Sequence, residues 1–154
     1  MDKNSFIKIF MTSTNTKLLS SGILLLRLTA GIILFLVGSG KVAGWFGGFG
    51  MQTTTQYFNK MGFSDFLTYL SSYTEFIGGM LLFVGLFTRP AAVAVFINML
   101  VATWVMMPKG FVYGGADFPF TVMIISIAVI LAGPTVYSLD YLIFKKNMNR
   151  NQSS

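Results

Sequence analysis

The sequence contains no cysteine and no histidine, and only 10% of its 154 residues are charged. Without cysteine there is no disulfide, no thiolate nucleophile and no thiolate ligand for an iron–sulfur cluster. Without histidine the chain lacks the commonest metal ligand and general base, and bis-histidine haem ligation is excluded. The sequence therefore predicts no metal site and no covalently bound cofactor.

Apolar residues make up 54% of the chain. A soluble domain would carry roughly 25% charged residues, so the deficit and the long apolar runs indicate an integral membrane protein. The net charge of +6 does not indicate nucleic acid binding, because the basic residues stand at the ends of apolar segments and form no dense patch. The predicted partner is the lipid bilayer.

Four apolar segments have about the ~20 residues that a membrane-spanning helix needs. They are Leu18–Ala43, Phe66–Phe87, Pro90–Met107 and Phe118–Tyr137. The short connections after the second segment favour antiparallel neighbours. The predicted fold class is an all-α integral membrane protein, a four-transmembrane-helix antiparallel bundle.

The first outer loop is longer than the others and predicts a short interfacial helix. Met51, Thr55, Phe58 and Met61 fall at helical spacing there. Packing in the interface is the expected role of this helix, and covering a pocket is the alternative.

The distribution of lysine and arginine predicts the orientation. Seven basic residues lie on one side of the four segments and three on the other, so the positive-inside rule places both termini in the cytoplasm. The first set is Lys3, Lys8, Lys17, Arg89, Lys145, Lys146 and Arg150, and the second is Lys41, Lys60 and Lys109. The predicted division is a polar cytoplasmic N-terminus (1–17), a membrane domain (18–144) and a basic cytoplasmic tail (145–154) of a multi-pass membrane protein.

Small and charged residues share one face on each of the first two segments. On the first segment this face carries Arg27, Gly31, Gly38 and Lys41, and on the second it includes Glu75 and Gly78. Ionisable residues in a membrane face the interior of the bundle, and small residues allow helices to approach closely. The two faces are therefore predicted to pack against each other.

Arg27 and Glu75 are predicted to form an ion pair near the middle of the membrane. Each lies about nine residues from a predicted helix end, or ~13 Å deep at 1.5 Å per residue. The pair is interpreted either as a structural link between helices or as a site for a polar head group or a proton path. Lys41 and Asn98 join it as ligand-binding or proton-relay candidates, although Lys41 also fits an interfacial anchor and Asn98 an interhelical hydrogen bond.

Three further charged residues, Arg89, Asp117 and Asp140, are structural or terminal candidates, and Asp140 fits a cap of the terminal helix.

The sequence resembles the DoxX family of small bacterial membrane proteins. The resemblance rests on "LLRLTAGIILFLVGSGKV" (Leu25–Val42), "EFIGGMLLFVGLFTRPAA" (Glu75–Ala92) and "GPTVYSLD" (Gly133–Asp140), in that order. Thr135 and Val136 depart from the family pattern, where a glycine and a basic residue are usual. Met106 stands where relatives often carry histidine.

The resemblance implies a four-helix bundle in a bacterial inner membrane that works in a redox system. Such a protein would bind a quinone and act with a soluble oxidoreductase or a sulfurtransferase-like partner, and Arg27, Lys41 and Glu75 would hold the quinone head group. Two other functions fit the same polar face. One is a non-catalytic scaffold or assembly subunit, and the other is a small transporter, which would require a homo-oligomer because one four-helix chain is small for a permeation pathway.

Overall fold

The computed structural model describes residues 16–135 and 137–143, and every regular element in them is helical. The longer helices are α1 (Thr16–Ala43), α2 (Gly50–Lys60), α3 (Asp65–Val84), α4 (Thr88–Met106) and α5 (Asp117–Ala132). Short 3-10 turns occupy Trp45–Gly47 and Met107–Lys109, and residues 139–143 are helical. The all-α class is confirmed. The predicted cytoplasmic tails fall almost wholly outside the described residues.

The predicted segments correspond to α1, α3, α4 and α5, and the short helix predicted in the first outer loop is α2. Ser64 caps α3 because its hydroxyl accepts a hydrogen bond from the backbone N–H of Leu67. The fourth segment extends to Tyr137 with a break or kink predicted at Gly133-Pro134, and α5 ends at Ala132, directly before that step. Gly133 adopts a φ of 70°, and Pro134 cannot continue the helical hydrogen bonds.

Helices α1 and α3 pack backbone to backbone through glycines. A β-carbon on Gly31 would lie 2.7 Å from the backbone nitrogen of Phe83, and one on Gly79 would lie 2.5 Å from that of Phe35. The prediction that the small-residue faces of these helices meet is therefore confirmed. Gly79 makes the contact with α1, whereas Gly78 faces the side chain of Val95 on α4.

Helix α4 packs mainly against α5, and the two helix pairs meet in an apolar core. Leu34 of α1, Leu82 of α3 and Val95 of α4 are almost completely buried in this core. Met99 and Val129 extend it along α4 and α5. The core fixes the relative positions of α1, α3 and α4, which carry the polar residues described below.

Two stretches are long and apolar enough to cross a membrane, Leu18–Ala43 and Thr88–Lys109. Only 28% of the most apolar window of each is buried inside the protein. A core helix of a soluble protein would hide most of such a window, so these helices present apolar surface outward. Helix α5 is also apolar but shorter.

Candidate functional site

Lys41 and Glu75 form a close ion pair between the last turn of α1 and the middle of α3. The Nζ atom of Lys41 lies 2.7 Å from Oε1 and 2.7 Å from Oε2 of Glu75. The Glu75 side chain is only 5% exposed and that of Lys41 is 26% exposed. The glycine at position 38 permits this approach, because a β-carbon there would overlap the backbone of Glu75 and Phe76. The small-residue face therefore brings the carboxylate within reach of the lysine.

Asn98 of α4 lies beside the ion pair of Lys41 and Glu75. Its side-chain Nδ2 donates to Oε1 of Glu75 over 3.4 Å, which is long for a hydrogen bond. Lys41, Glu75 and Asn98, here called the polar cluster, thus come from α1, α3 and α4. The sequence predicted all three as candidates, and the structure brings them together.

The predicted ion pair between Arg27 and Glu75 is wrong. Glu75 pairs with Lys41, and Arg27 lies near the middle of α1, beside the turn that follows α3. The close approaches of Gly31 to Phe83 and of Gly38 to Phe76 set the register, in which Arg27 faces the turn that follows α3. Glu75 is then displaced from Arg27 by about twelve residues along α1, or ~18 Å.

The depth estimate failed because α1 and α3 are staggered. Counting residues from predicted helix ends assumes that the ends of antiparallel neighbours are level. In the structure α1 begins at Thr16. Its Gly31 packs on Phe83, next to the end of α3 at Val84, so Arg27 lies level with the turn beyond that end. About fourteen residues of α1 (16–29) therefore extend past the end of α3.

Arg27 is buried beside the turn that follows α3, where it holds the segment that follows α5. Its Nη2 donates to the backbone oxygen of Tyr137 over 3.0 Å. Its guanidinium lies so close to Gly85 that a β-carbon there would be 2.6 Å from Nη1. Nε and Nη1 have no hydrogen-bond partner among the described residues. Arg27 is packed tightly and does not belong to the polar cluster.

Asp140 caps α4 and not the terminal helix, which corrects the sequence prediction. Its Oδ1 accepts from the backbone N–H of Phe87 and its Oδ2 from that of Thr88, both over 2.8 Å. A carboxylate at a helix N-terminus satisfies free N–H groups and interacts favourably with the helix dipole. Phe87 has a φ of 48°, unusual for a non-glycine residue, and these hydrogen bonds help to hold it.

Arg89 and Asp117 lie outside the polar cluster. The exposed Arg89 places its guanidinium against Gly133, where a β-carbon would lie 2.8 Å from Nη2. Asp117 occupies the first turn of α5, where a negative charge complements the helix dipole. Both positions agree with the structural roles considered for them.

A cavity of about 890 Å³ adjoins the polar cluster. Its volume falls within the ~300–1,000 Å³ of typical small-molecule sites. Its walls come from α2, α3, α4 and the start of α5, and most of them are apolar. The lining includes the polar cluster together with Tyr57, Phe58, Met61, Leu70, Ile97, Val101, Ala102 and Phe118.

The cavity is open between α3 and α4. Leu67 and Leu70 of α3 line it and are 45% and 53% exposed, and Ile97 and Val101 of α4 line it with 55% and 46% exposed. These side chains lie on the apolar outer surface of the protein. An apolar molecule could therefore enter from the side and not only from an end of the helices.

Helix α2 covers one end of this cavity. Its residues Tyr57, Phe58 and Met61 contribute to the lining, and the Nζ atom of Lys41 lies 5.8 Å from the centre of the Phe58 ring. Lys109 is attached to the same helix through Met61 Sδ at 3.4 Å and the Tyr57 ring at 5.8 Å. The alternative considered for this helix, covering a pocket, agrees with the structure.

The sequence prediction missed the cavity wall on α4. Ala94, Asn98 and Ala102 recur at intervals of four and therefore share a helix face. The two alanines leave room on either side of the asparagine, and all three residues line the cavity. This small–polar–small pattern is the signal that could have located the site.

The chemistry available at the cavity is charge pairing and hydrogen bonding beside an apolar chamber. In the part of the chain that the structure describes, no group of three acidic side chains could hold a metal ion. The polar cluster can bind a polar head group, donate hydrogen bonds through Lys41 and Asn98, and exchange a proton at Glu75. The chamber can hold an apolar tail.

Comparisons with known proteins place this arrangement in context. Residues 22–108 match the sequence model of the family described as DoxX. A protein of Bacillus subtilis (strain 168) with the provisional name oxidoreductase CatD is 35% identical over 133 residues, which are 86% of this chain and 95% of the relative. The inner membrane protein YqjF of Escherichia coli (strain K12) is 29% identical over 134 residues, 84% of this chain and 98% of that protein. No solved structure matches the chain significantly.

Proposed function

The chain belongs to the DoxX family, and from this premise we propose that it is the inner-membrane subunit of a redox system and binds a quinone or a similar lipid-soluble ligand. The ligand's head group lies at Lys41, Glu75 and Asn98, and its tail fills the adjoining cavity. A soluble oxidoreductase partner exchanges electrons with the ligand. One observation carries the proposal: the polar cluster opens into an apolar cavity that can be reached from the side of the protein.

The proposal includes four membrane spans, α1, α3, α4 and α5, with both termini in the cytoplasm. The outward apolar surface of α1 and α4 supports a bilayer environment, and the name of the Escherichia coli relative supports the inner membrane. Helix α3 has 20 residues and its one interior carboxylate is paired. At 16 residues α5 is ~24 Å long, so the segment after it completes the crossing.

The native chain has no cysteine, so single introduced cysteines test this topology without background. We expect a cysteine at Asn59 to react with a membrane-impermeant maleimide added outside intact spheroplasts. A cysteine at Ser153 should react only after the membrane is opened. Equal labelling of the two positions in intact cells would contradict the four-span arrangement.

The two ends of the site match a quinone. Neutral carbonyl oxygens accept hydrogen bonds, which Lys41 and Asn98 donate, and the apolar lining suits an isoprenoid tail. Reduction of a quinone to a quinol takes up two electrons and two protons. The partner supplies the electrons, because the chain contains no thiol and no histidine to ligate a redox metal. Glu75 is placed to exchange a proton with the head group.

The ligand itself provides the test. We expect quinone to copurify with the protein from native membranes in mild detergent, at a ratio to phospholipid well above that of the bulk membrane extract, as measured by mass spectrometry. Ala102→Phe should empty the site, because the new ring occupies the cavity beside Asn98. Ala132→Phe is the matched control, since Ala132 is exposed at the end of α5 and does not line the cavity.

Quinone at the bulk ratio in the wild type, or equal quinone in the two variants, would contradict the proposal. A protein that carries no quinone but still recovers its partner from native membranes would instead be a scaffold subunit.

A further inference from the structure

The polar end of the cavity carries a positive and a negative charge that cancel. Both oxygens of Glu75 lie 2.7 Å from the ammonium nitrogen of Lys41, and Oε1 accepts a hydrogen bond from it, whereas the buried Oε2 has no hydrogen-bond partner among the described residues. The other N–H groups of Lys41, Oε2 of Glu75 and the remaining hydrogen-bonding groups of Asn98 are left for a ligand. No other charged residue lines the cavity among the residues that the structure describes.

We propose that Glu75 determines the charge of the ligand, so that the cavity accepts uncharged amphiphiles and rejects anionic ones. This inference rests on the proposed function, since it concerns the same cavity. It assigns Glu75 a role in specificity in addition to proton exchange. The ligand class is a neutral molecule whose head group accepts a hydrogen bond and whose tail is apolar.

The argument begins with what Lys41 would do alone. A cavity that opens toward lipid is exposed to fatty acids and to anionic phospholipids, and a single lysine attracts such head groups. Glu75 neutralises the lysine at hydrogen-bond distance. An anionic head group would then lie beside a carboxylate that is 5% exposed, and the like charges would repel with little screening by water.

A neutral head group meets neither difficulty. It loses less hydration on entering the cavity than an ion does, and it accepts a hydrogen bond from Lys41 or from the amide of Asn98. The Asn98 amide can both donate and accept, so it serves a carbonyl and a hydroxyl equally. A site of this kind holds the oxidised and the reduced form of one neutral ligand without a change in its own charge.

The test compares two probes that have the same tail and differ in one charge. Laurate, at a pH where the acid is ionised, and methyl laurate are titrated into the full-length protein in a neutral detergent, and binding is followed by native mass spectrometry. We expect the wild type to bind the ester at least about tenfold more tightly than the acid. Glu75→Gln should abolish or reverse this preference, because Lys41 then has no internal counter-charge.

Asp65→Asn is the matched control for charge alone. Asp65 is a carboxylate on the same helix, but it hydrogen-bonds Asn59 and does not line the cavity. This variant should keep the wild-type preference. A preference that changes equally in both variants would show a general effect of net charge and would overturn the inference.

The remaining outcomes separate this inference from the proposed function. Equal affinity of the wild type for acid and ester would overturn charge selection while leaving a lipid-binding cavity in place. An unchanged preference in Glu75→Gln would do the same. Failure of the wild type to bind either probe would overturn the inference alone, since copurification of quinone tests the proposed function separately. The wild-type comparison needs no variant, so it decides even if Glu75→Gln cannot be purified.

Discussion

Gly38→Ala is expected to destabilise the protein by about 2 kcal/mol or more, although alanine favours a helix over glycine by up to ~1 kcal/mol. The added methyl group would overlap the backbone of Glu75 and Phe76, and backbone atoms cannot rotate away as a side chain can. Helices α1 and α3 must then separate. The separation would also lengthen the ion pair between Lys41 and Glu75. Thermal unfolding of the purified protein, followed by the loss of the monodisperse peak, measures the change.

Gly22→Ala is the matched control, because it makes the same substitution on the same helix. Nothing lies within 4 Å of a β-carbon built on Gly22. This variant should be as stable as the wild type or slightly more stable. If Gly38→Ala is equally well tolerated, the close packing of α1 on α3 is wrong.

Lys41→Met is expected to lower stability by up to about 3 kcal/mol, the low end of the range for breaking a buried ion pair. It leaves the buried carboxylate of Glu75 with only the long contact to Asn98. Glu75→Gln should cost less, because Lys41 is 26% exposed and its flexible side chain can reach a more polar environment. Lys41→Met should therefore unfold at a lower temperature than Glu75→Gln.

The double variant Lys41→Met/Glu75→Gln completes the cycle. Removing both charges leaves no unpaired ion, so its stability should recover to near that of the wild type. Arg27 provides the comparison: combining Arg27→Met with Glu75→Gln should give additive losses, since the two residues lie ~18 Å apart along α1. Strong coupling of Glu75 to Arg27 and none to Lys41 would contradict the observed pairing.

Helical periodicity predicted the parts of the site that depend on local spacing. It placed Gly31 and Gly38 on one face of α1 and Glu75 on the facing side of α3, and the structure confirms this packing. It also predicted the helix in the first loop. These features depend on neighbours three or four residues apart, which the sequence displays directly.

Local spacing does not determine how far one helix is shifted along the axis of its neighbour. Arg27 was paired with Glu75 because helix ends were assumed to be level, whereas the packing of Gly31, Gly38 and Gly79 sets the register and leaves the start of α1 unmatched. The position of Lys41 at a helix end fits an interfacial anchor as well as a ligand site, so local spacing does not predict its pairing with Glu75. The ion pair of Lys41 with Glu75 and the adjoining cavity lie where α1, α3 and α4 pack together. The relative positions of these helices are set by tertiary packing and cannot be predicted from local spacing.

Photolabelling with an azido-quinone tests the central claim most directly, because it reports where the head group lies. After irradiation of the purified protein and proteolysis, we expect adducts on α2, α3 and α4 at residues lining the cavity, such as Tyr57 and Ala102. An excess of unlabelled quinone should suppress them, and Ala102→Phe should remove them. Adducts confined to the opposite end, around Arg27 and Tyr137, or labelling that unlabelled quinone does not suppress, would contradict the account.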